Sequence, residues 1–297
     1  MSEHIKANVR AKEILCYLKE HGPLSFRALK KMVSPPMHDN ALRAAIIRLM
    51  QKQIVKKRYE NLFRNQGVFY QLSQNKESMQ IASRFLNCAI DELRQPDFRY
   101  RELLHTQECG MWAHKLQKYF PKATIIRDFK FDKNDLAKNI MMINSKDCDI
   151  KPDLLLIFKN DETAPYITIA IEIERTRKTN KRLLKKLNNY ANQTRIDGLL
   201  YVCESDRLKD VIAQLYQQKL SKEVIRVKHY LNNFFMFTTI DKVHELESDV
   251  LINSLNQHAT LKNWINFLQE NDFNSRRDKN FTAHWGSTTS LDATSLN

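Results

Sequence analysis

The chain has 297 residues, 42% of them hydrophobic, enough for two domains of ordinary size with buried cores. Its formal charge of +14 and pI near 9.5 point to a polyanionic partner. Five scattered cysteines without a Cys-x-x-Cys pair exclude a zinc ribbon or a thioredoxin-like motif, and five glycines build neither a P-loop nor a dinucleotide-binding turn.

The charge is concentrated at the start. Residues 1–74 hold 14 Lys and Arg against 5 Asp and Glu, so a quarter of the chain carries +9 of the +14. The spacing of Ile14, Leu15 and Leu18 predicts an amphipathic helix over 5–20, ended by Gly22-Pro23. Ser25 caps a short second helix reaching Met32, with Phe26 and Leu29 facing inward. Asp39 or Asn40 caps a third, running to about Gln53, whose buried stripe is Leu42, Ile46, Leu49 and Met50. Arg43, Arg48 and Lys52 lie on its other faces. Two β-rich runs, 54–58 and 68–72, flank a polar loop with Gly67 and read as a hairpin. Three helices and a hairpin make a winged helix, residues 1–74. Its third helix would enter the DNA major groove, and Lys56, Lys57, Arg58 and Arg64 of the wing would contact phosphate. The same module used for protein contacts is the alternative; the basic wing favours nucleic acid.

A helical connector follows over 75–99, with a helix over 78–94 closed by Pro96. A second unit is expected over 100–245, opened by a helix over 102–119. Strands are expected over 123–131, 153–158, 166–174, 199–203, near 224–228 and over 234–239. Helices are expected over 177–194 and 206–220, then a C-terminal helix over 246–272 and a structureless polar tail over 273–297. The central order α-β-β-β-α-β gives an α+β or α/β class with parallel pairing in its sheet. The start is polar and no uncharged apolar run nears the ~18 residues of a spanning helix, so a cytoplasmic protein without membrane contact is expected.

The run 166–174 carries the chemistry. Strand alternation puts Ile167, Ile169, Ile171 and Ile173 on one face and Thr168, Ala170, Glu172 and Glu174 on the other. The two carboxylates are then about 7 Å apart on one side. Asp153, just after Pro152, opens the preceding strand and can join them. Three oxygen donors suit a hard cation, Mg²⁺ or Mn²⁺, which can activate water against a phosphodiester. Exposed glutamates balanced by Arg175 and Arg177 are the alternative. Arg175, Arg177, Lys178, Lys181 and Arg182 are candidate DNA contacts. Lys186, four residues before Tyr190, borders the buried stripe Leu183, Leu187 and Tyr190 and can point at the sheet. No His-Glu-x-x-His or His-x-His motif is present.

Lys151-Pro152-Asp153 followed by Glu172-x-Glu174 resembles the PD-(D/E)xK nuclease signature, with Glu174 where the lysine usually stands. The resemblance implies metal ligation by Asp153, Glu172 and Glu174, with Lys186 as a lysine moved to the following helix. It also implies an assisting glutamate on the first helix, Glu108 or Glu102. A winged helix, then Leu104-His105-Thr106, Pro152-Asp153, Glu172-Ile173-Glu174-Arg175-Thr176 and Lys186-x-x-x-Tyr190, is similar to the replication-relaxation proteins and the MOBC-type plasmid mobilisation relaxases. That likeness implies nicking or replication control at a plasmid origin in double-stranded DNA. Accessory mobilisation or coupling proteins, or a homodimer, are the partners it implies. A non-catalytic DNA-binding regulator with a degenerate nuclease fold is the alternative, and a defence or transposition nuclease subunit a further one.

Overall fold

A computed structural model describes residues 3–60, 67–99, 102–141, 151–158, 167–191, 196–220, 234–248, 251–253 and 257–271. The chain divides into two compact units, Met1–Pro121 and Lys122–Asn297. It is a mixed α/β protein, with a three-stranded antiparallel sheet in the first unit and a seven-stranded mixed sheet in the second.

The first unit opens with α1 (Glu3–His21), β1 (Leu24–Ser25), α2 (Phe26–Met32) and α3 (Asp39–Gln51). β2 (Val55–Glu60) and β3 (Gly67–Leu72) then pair antiparallel, with β1 on the free side of β3. Gly22 ends α1 at φ +76°, a conformation that glycine adopts without strain. The Ser25 hydroxyl caps α2 by accepting from Ala28 N at 3.2 Å. The cap of α3 is His38, whose Nδ1 accepts from Asn40 N, in place of the expected Asp39 or Asn40. Asp39 is instead paired with Lys30 at 2.6 Å. Ile14, Leu15, Leu18, Leu29, Leu42, Ile46, Leu49 and Leu72 form the core, and Met50 is half-buried at its edge. Arg64 and the loop around it lie outside the described residues.

The expected connector helix is two helices, α4 (Lys76–Leu86) and α5 (Ile90–Leu93). Asn87 breaks them at φ +54°, since its short polar side chain tolerates the left-handed region. α6 (Leu103–Tyr119), expected to open the second unit, belongs with the first: Gln107 Oε1 accepts from Ser25 N at 2.8 Å, and Thr106 packs by Gly22.

The second unit runs β4 (Thr124–Arg127), a 3-10 turn over Asp128–Lys133, α7 (Asp135–Met141) and β5 (Leu154–Phe158). β6 (Ile167–Glu174), α8 (Asn180–Ala191), β7 (Gly198–Cys203), α9 (Asp206–Leu220) and β8 (Phe235–Thr239) follow. A 3-10 turn over Ile240–His244 leads to β9 (Leu251–Ile252), β10 (His258–Ala259) and α10 (Leu261–Asn271). The expected strand over 123–131 stops at Arg127, and the helix expected over 246–272 is replaced in its first part by β9 and β10, leaving α10 alone helical among the described residues there. The strand near 224–228 and the tail over 273–297 lie outside the described residues.

The sheet order is β10-β9-β8-β7-β6-β5-β4. β4, β5 and β6 form an antiparallel meander; β6, β7 and β8 are parallel, joined through α8 and α9. Parallel strands need crossovers that cover the sheet, so they are buried on both sides. β6, β7 and β8 are buried at every position. Leu183, Leu187 and Tyr190 of α8 and Ile212 and Tyr216 of α9 pack on the face that carries Leu155, Ala170, Leu199, Tyr201 and Phe237. Gly198, level with Ile169 of the opposite face, lets Trp264 and Leu268 of α10 approach. Among the described residues no helix is long and apolar enough to cross a membrane.

Candidate functional site

Asp153 stands just before β5, and Glu172 and Glu174 lie at the end of β6. The pairing Leu154↔Ile171 continues to put Asp153 level with Glu172. Asp153 Oδ2 accepts from Ile173 N at 2.7 Å, and its carbonyl accepts from Asp128 N at 3.1 Å. Asp153 is thus tied to the backbone of β6 and of the 3-10 turn after β4. Glu172 shares a face with Ala170, beneath α8. Lys186 Nζ donates to its Oε2 at 2.5 Å, and the Tyr190 hydroxyl donates to its Oε1. The spacing Lys186-x-x-x-Tyr190 sets both donors on one helix face, over one carboxylate. Glu174 takes Lys178 Nζ at 2.6 Å.

Glu172 and Glu174 are 2% and 4% exposed. The alternative of solvated strand-end glutamates is therefore overturned, because both faces of β6 are covered. Burial raises the Glu172 carboxyl to a pKa of about 7, against the opposing pull of Lys186, while Asp153 pushes it further up. Burial works against the Lys186 ammonium too, but Glu172, with Asp153 and Glu174, outweighs it and raises its pKa. Tyr190 is held well above the usual phenol range by burial and by Glu172, so it is a neutral donor rather than a phenolate nucleophile.

No protein-family model, no curated protein and no solved structure matches the chain. Its chemistry has to be read from these side chains.

Asp153, Glu172 and Glu174, the expected metal ligands, do not form a three-ligand group close enough to share an ion. Asp153 and Glu172 are level on adjacent strands and offer carboxylate oxygens, the ligand type of Mg²⁺ and Mn²⁺. Burial lifts the pKa of Glu172 in spite of Lys186. Glu174 is already neutralised by Lys178. Glu108 sits half-buried on α6, and Glu102, exposed just before it, accepts from Arg99 N at 3.3 Å.

Two residues went unread in the sequence. Tyr201, level with Glu172 on β7, is fully buried, and its hydroxyl has no partner among the described residues. Its place beside the carboxylates follows from the β6–β7 register, which spacing alone does not give. Asp197, 1% exposed, accepts from Thr168 N at 2.7 Å and clamps the start of β7 to β6.

The basic candidates fall into two groups. Arg43, Arg48, Lys52, Lys57, Arg177, Lys181 and Arg182 are exposed, and Lys56 is half-buried. Others are engaged by protein. Arg58 gives Nη1 to Asp97 at 2.9 Å and Nη2 to the Phe98 carbonyl at 2.6 Å. Arg175 meets Glu204 through two nitrogens at 2.8 and 3.3 Å, and Lys178 is spent on Glu174. These three, expected to face phosphate, are instead paired within the protein, Arg58 and Arg175 with acceptors distant in sequence and Lys178 with one four residues away. Arg58→Ala should lower stability by about 1–3 kcal/mol through the lost carbonyl and carboxylate bonds. Lys57→Ala should stay within about 0.5 kcal/mol. Thermal melts of the two variants distinguish these roles.

Proposed function

We propose that the chain is a DNA-binding, metal-dependent endonuclease of the nicking-relaxase kind. Its first unit is read as a winged-helix DNA reader, and its second as a PD-(D/E)xK-like core. The observation that carries this reading is the convergence of Lys186 on Glu172, with Asp153 level beside it. A helix-borne lysine is what a core lacking the usual lysine at position 174 requires. Asp153 and Glu172 would hold Mg²⁺ or Mn²⁺, which supplies Lewis acidity and a more acidic water. Backbone bonding from Ile173 fixes the direction of the Asp153 carboxylate. Tyr190 orients Glu172 from the other side. Lys186 would leave Glu172 for the phosphoryl oxygen, where its charge offsets that developing on phosphate. Charge concentrated in the first unit supports a polyanionic substrate, and the sequence likeness to mobilisation relaxases supports a plasmid origin.

A second reading is a DNA-binding regulator that keeps the fold without cleavage. The pairing of Glu174 with Lys178 and of Glu172 with Lys186 and Tyr190 favours it, since all of these bonds compete with a metal.

DNA enriched by the purified chain from a random duplex pool, cloned into a supercoiled plasmid, separates the two. With Mg²⁺ or Mn²⁺ the wild type should convert supercoiled plasmid to open circle. Asp153→Ala should lose at least about a hundredfold in rate while still binding. Equal behaviour of the two proteins removes the enzyme and leaves the regulator.

A further inference from the structure

The solvent face of α3 carries a composition that burial does not explain. At 100° per residue, Asn40, Arg43, Ala44, Ile47 and Gln51 share one stripe, opposite the buried Leu42, Ala45 and Leu49. Ile47 stands at its centre and is 52% exposed. A lone exposed apolar residue is ordinary on a protein surface. This one is flanked by the side chains that match base edges: arginine for guanine, asparagine and glutamine for adenine. An apolar side chain is what fits the thymine methyl group in the same groove.

The same unit presents several exposed cations. The Arg43 guanidinium lies 4.3 Å over the Phe26 ring, which limits where it can point. Arg27 and Lys31 are exposed on α2, Lys52 follows α3, and Lys57 is exposed on β2. The nearby acid, Asp39, is neutralised by Lys30. An exposed apolar residue on a helix that also presents Arg43 and Arg48 is complementary to a base edge between two phosphate chains.

We propose that the exposed stripe of α3 reads duplex DNA in the major groove, with Ile47 packed on the methyl group of one thymine. Arg43, Asn40 and Gln51 supply hydrogen bonds to the bases on either side. This rests on the DNA-binding reading above and adds to it the residue that distinguishes thymine.

The full chain is first used to enrich duplexes from a random pool. Each thymine of the enriched site is then replaced, one at a time, by deoxyuridine, which lacks only the methyl group. At one position the wild type should lose about fourfold in affinity, the worth of one buried methyl. Ile47→Ala should bind the thymine site about as weakly as the wild type binds the deoxyuridine site, and show no further loss on the swap. Because Ile47 is exposed, this variant keeps the core intact. Enrichment without any methyl dependence, or undiminished dependence in Ile47→Ala, overturns the inference and leaves DNA binding standing. Failure to enrich any duplex overturns both. A dimer in solution that Ile47→Ala dissolves, without DNA binding, assigns the stripe to a second copy instead.

Discussion

Lys186→Met should be nearly as stable as the wild type at pH 5 and less stable at pH 9, by up to about 3 kcal/mol. The reason is the position of Glu172. Its carboxyl titrates near 7 in the folded chain against 4.5 for a free glutamate. A raised folded pKa means that the stabilisation is complete below 4.5 and lost as pH rises through about 7. Lys186 is the strongest influence holding the carboxyl down. Without it the folded pKa moves higher still, and the loss continues past 7 at about 1.4 kcal/mol for each pH unit. Between pH 7 and 9 this amounts to at most about 3 kcal/mol. At pH 5 the buried carboxyl is protonated in both proteins and needs no counter-ion, so the gap closes. Lys186→Arg, which keeps the charge, should fall between. Urea unfolding at pH 5, 7 and 9 measures all three; a gap that does not change with pH means that the ammonium is not the counter-ion of Glu172.

Gly198→Val is expected to cost about 2–3 kcal/mol. A Cβ at Gly198 would stand 2.7 Å from Cζ2 of Trp264 and 3.0 Å from Cδ1 of Leu268. The nearer neighbour is a buried aromatic ring, not the end of a flexible chain, so relief requires α10 to shift. The substitution also has a favourable side, because valine suits a strand better than glycine by up to about 1 kcal/mol. The clash outweighs it. Trp264→Leu costs stability by itself, yet in the double variant it should recover most of the Gly198→Val loss. Additive losses in denaturant unfolding would show that the two side chains do not meet.

The sequence made parts of this site legible and hid others. Strict alternation over Ile167–Ile173 was enough to put Glu172 and Glu174 on one face, since a strand has no other way to project them. The stripe Leu183, Leu187 and Tyr190 was enough to turn Lys186 toward the sheet. Burial on both faces was not legible, because Glu172 and Glu174 look polar until the crossover helix closes over them. Ion-pair partners were hidden for another reason. Lys178 finds Glu174 four residues away, but Arg175 finds Glu204 and Arg58 finds Asp97, and such pairings depend on folded proximity rather than local pattern. Short-range events also escaped: the left-handed Asn87 that splits α4 from α5 lies within a continuous helical pattern. The packing of α6 with the first unit is hidden in the same way, since a helix's apolar stripe does not name the surface that covers it.

The internal ties of Arg58, Arg175, Lys178 and Lys186 bear on the thermodynamics of the proposed DNA complex. A cation already paired with a protein acceptor displaces few counterions when a phosphate arrives, because it must first give up that acceptor. The slope of log affinity against log salt counts released ions at about 0.9 per neutralised phosphate. The chain's ionic-strength sensitivity should therefore follow its unpaired surface cations and fall short of what its +14 formal charge suggests.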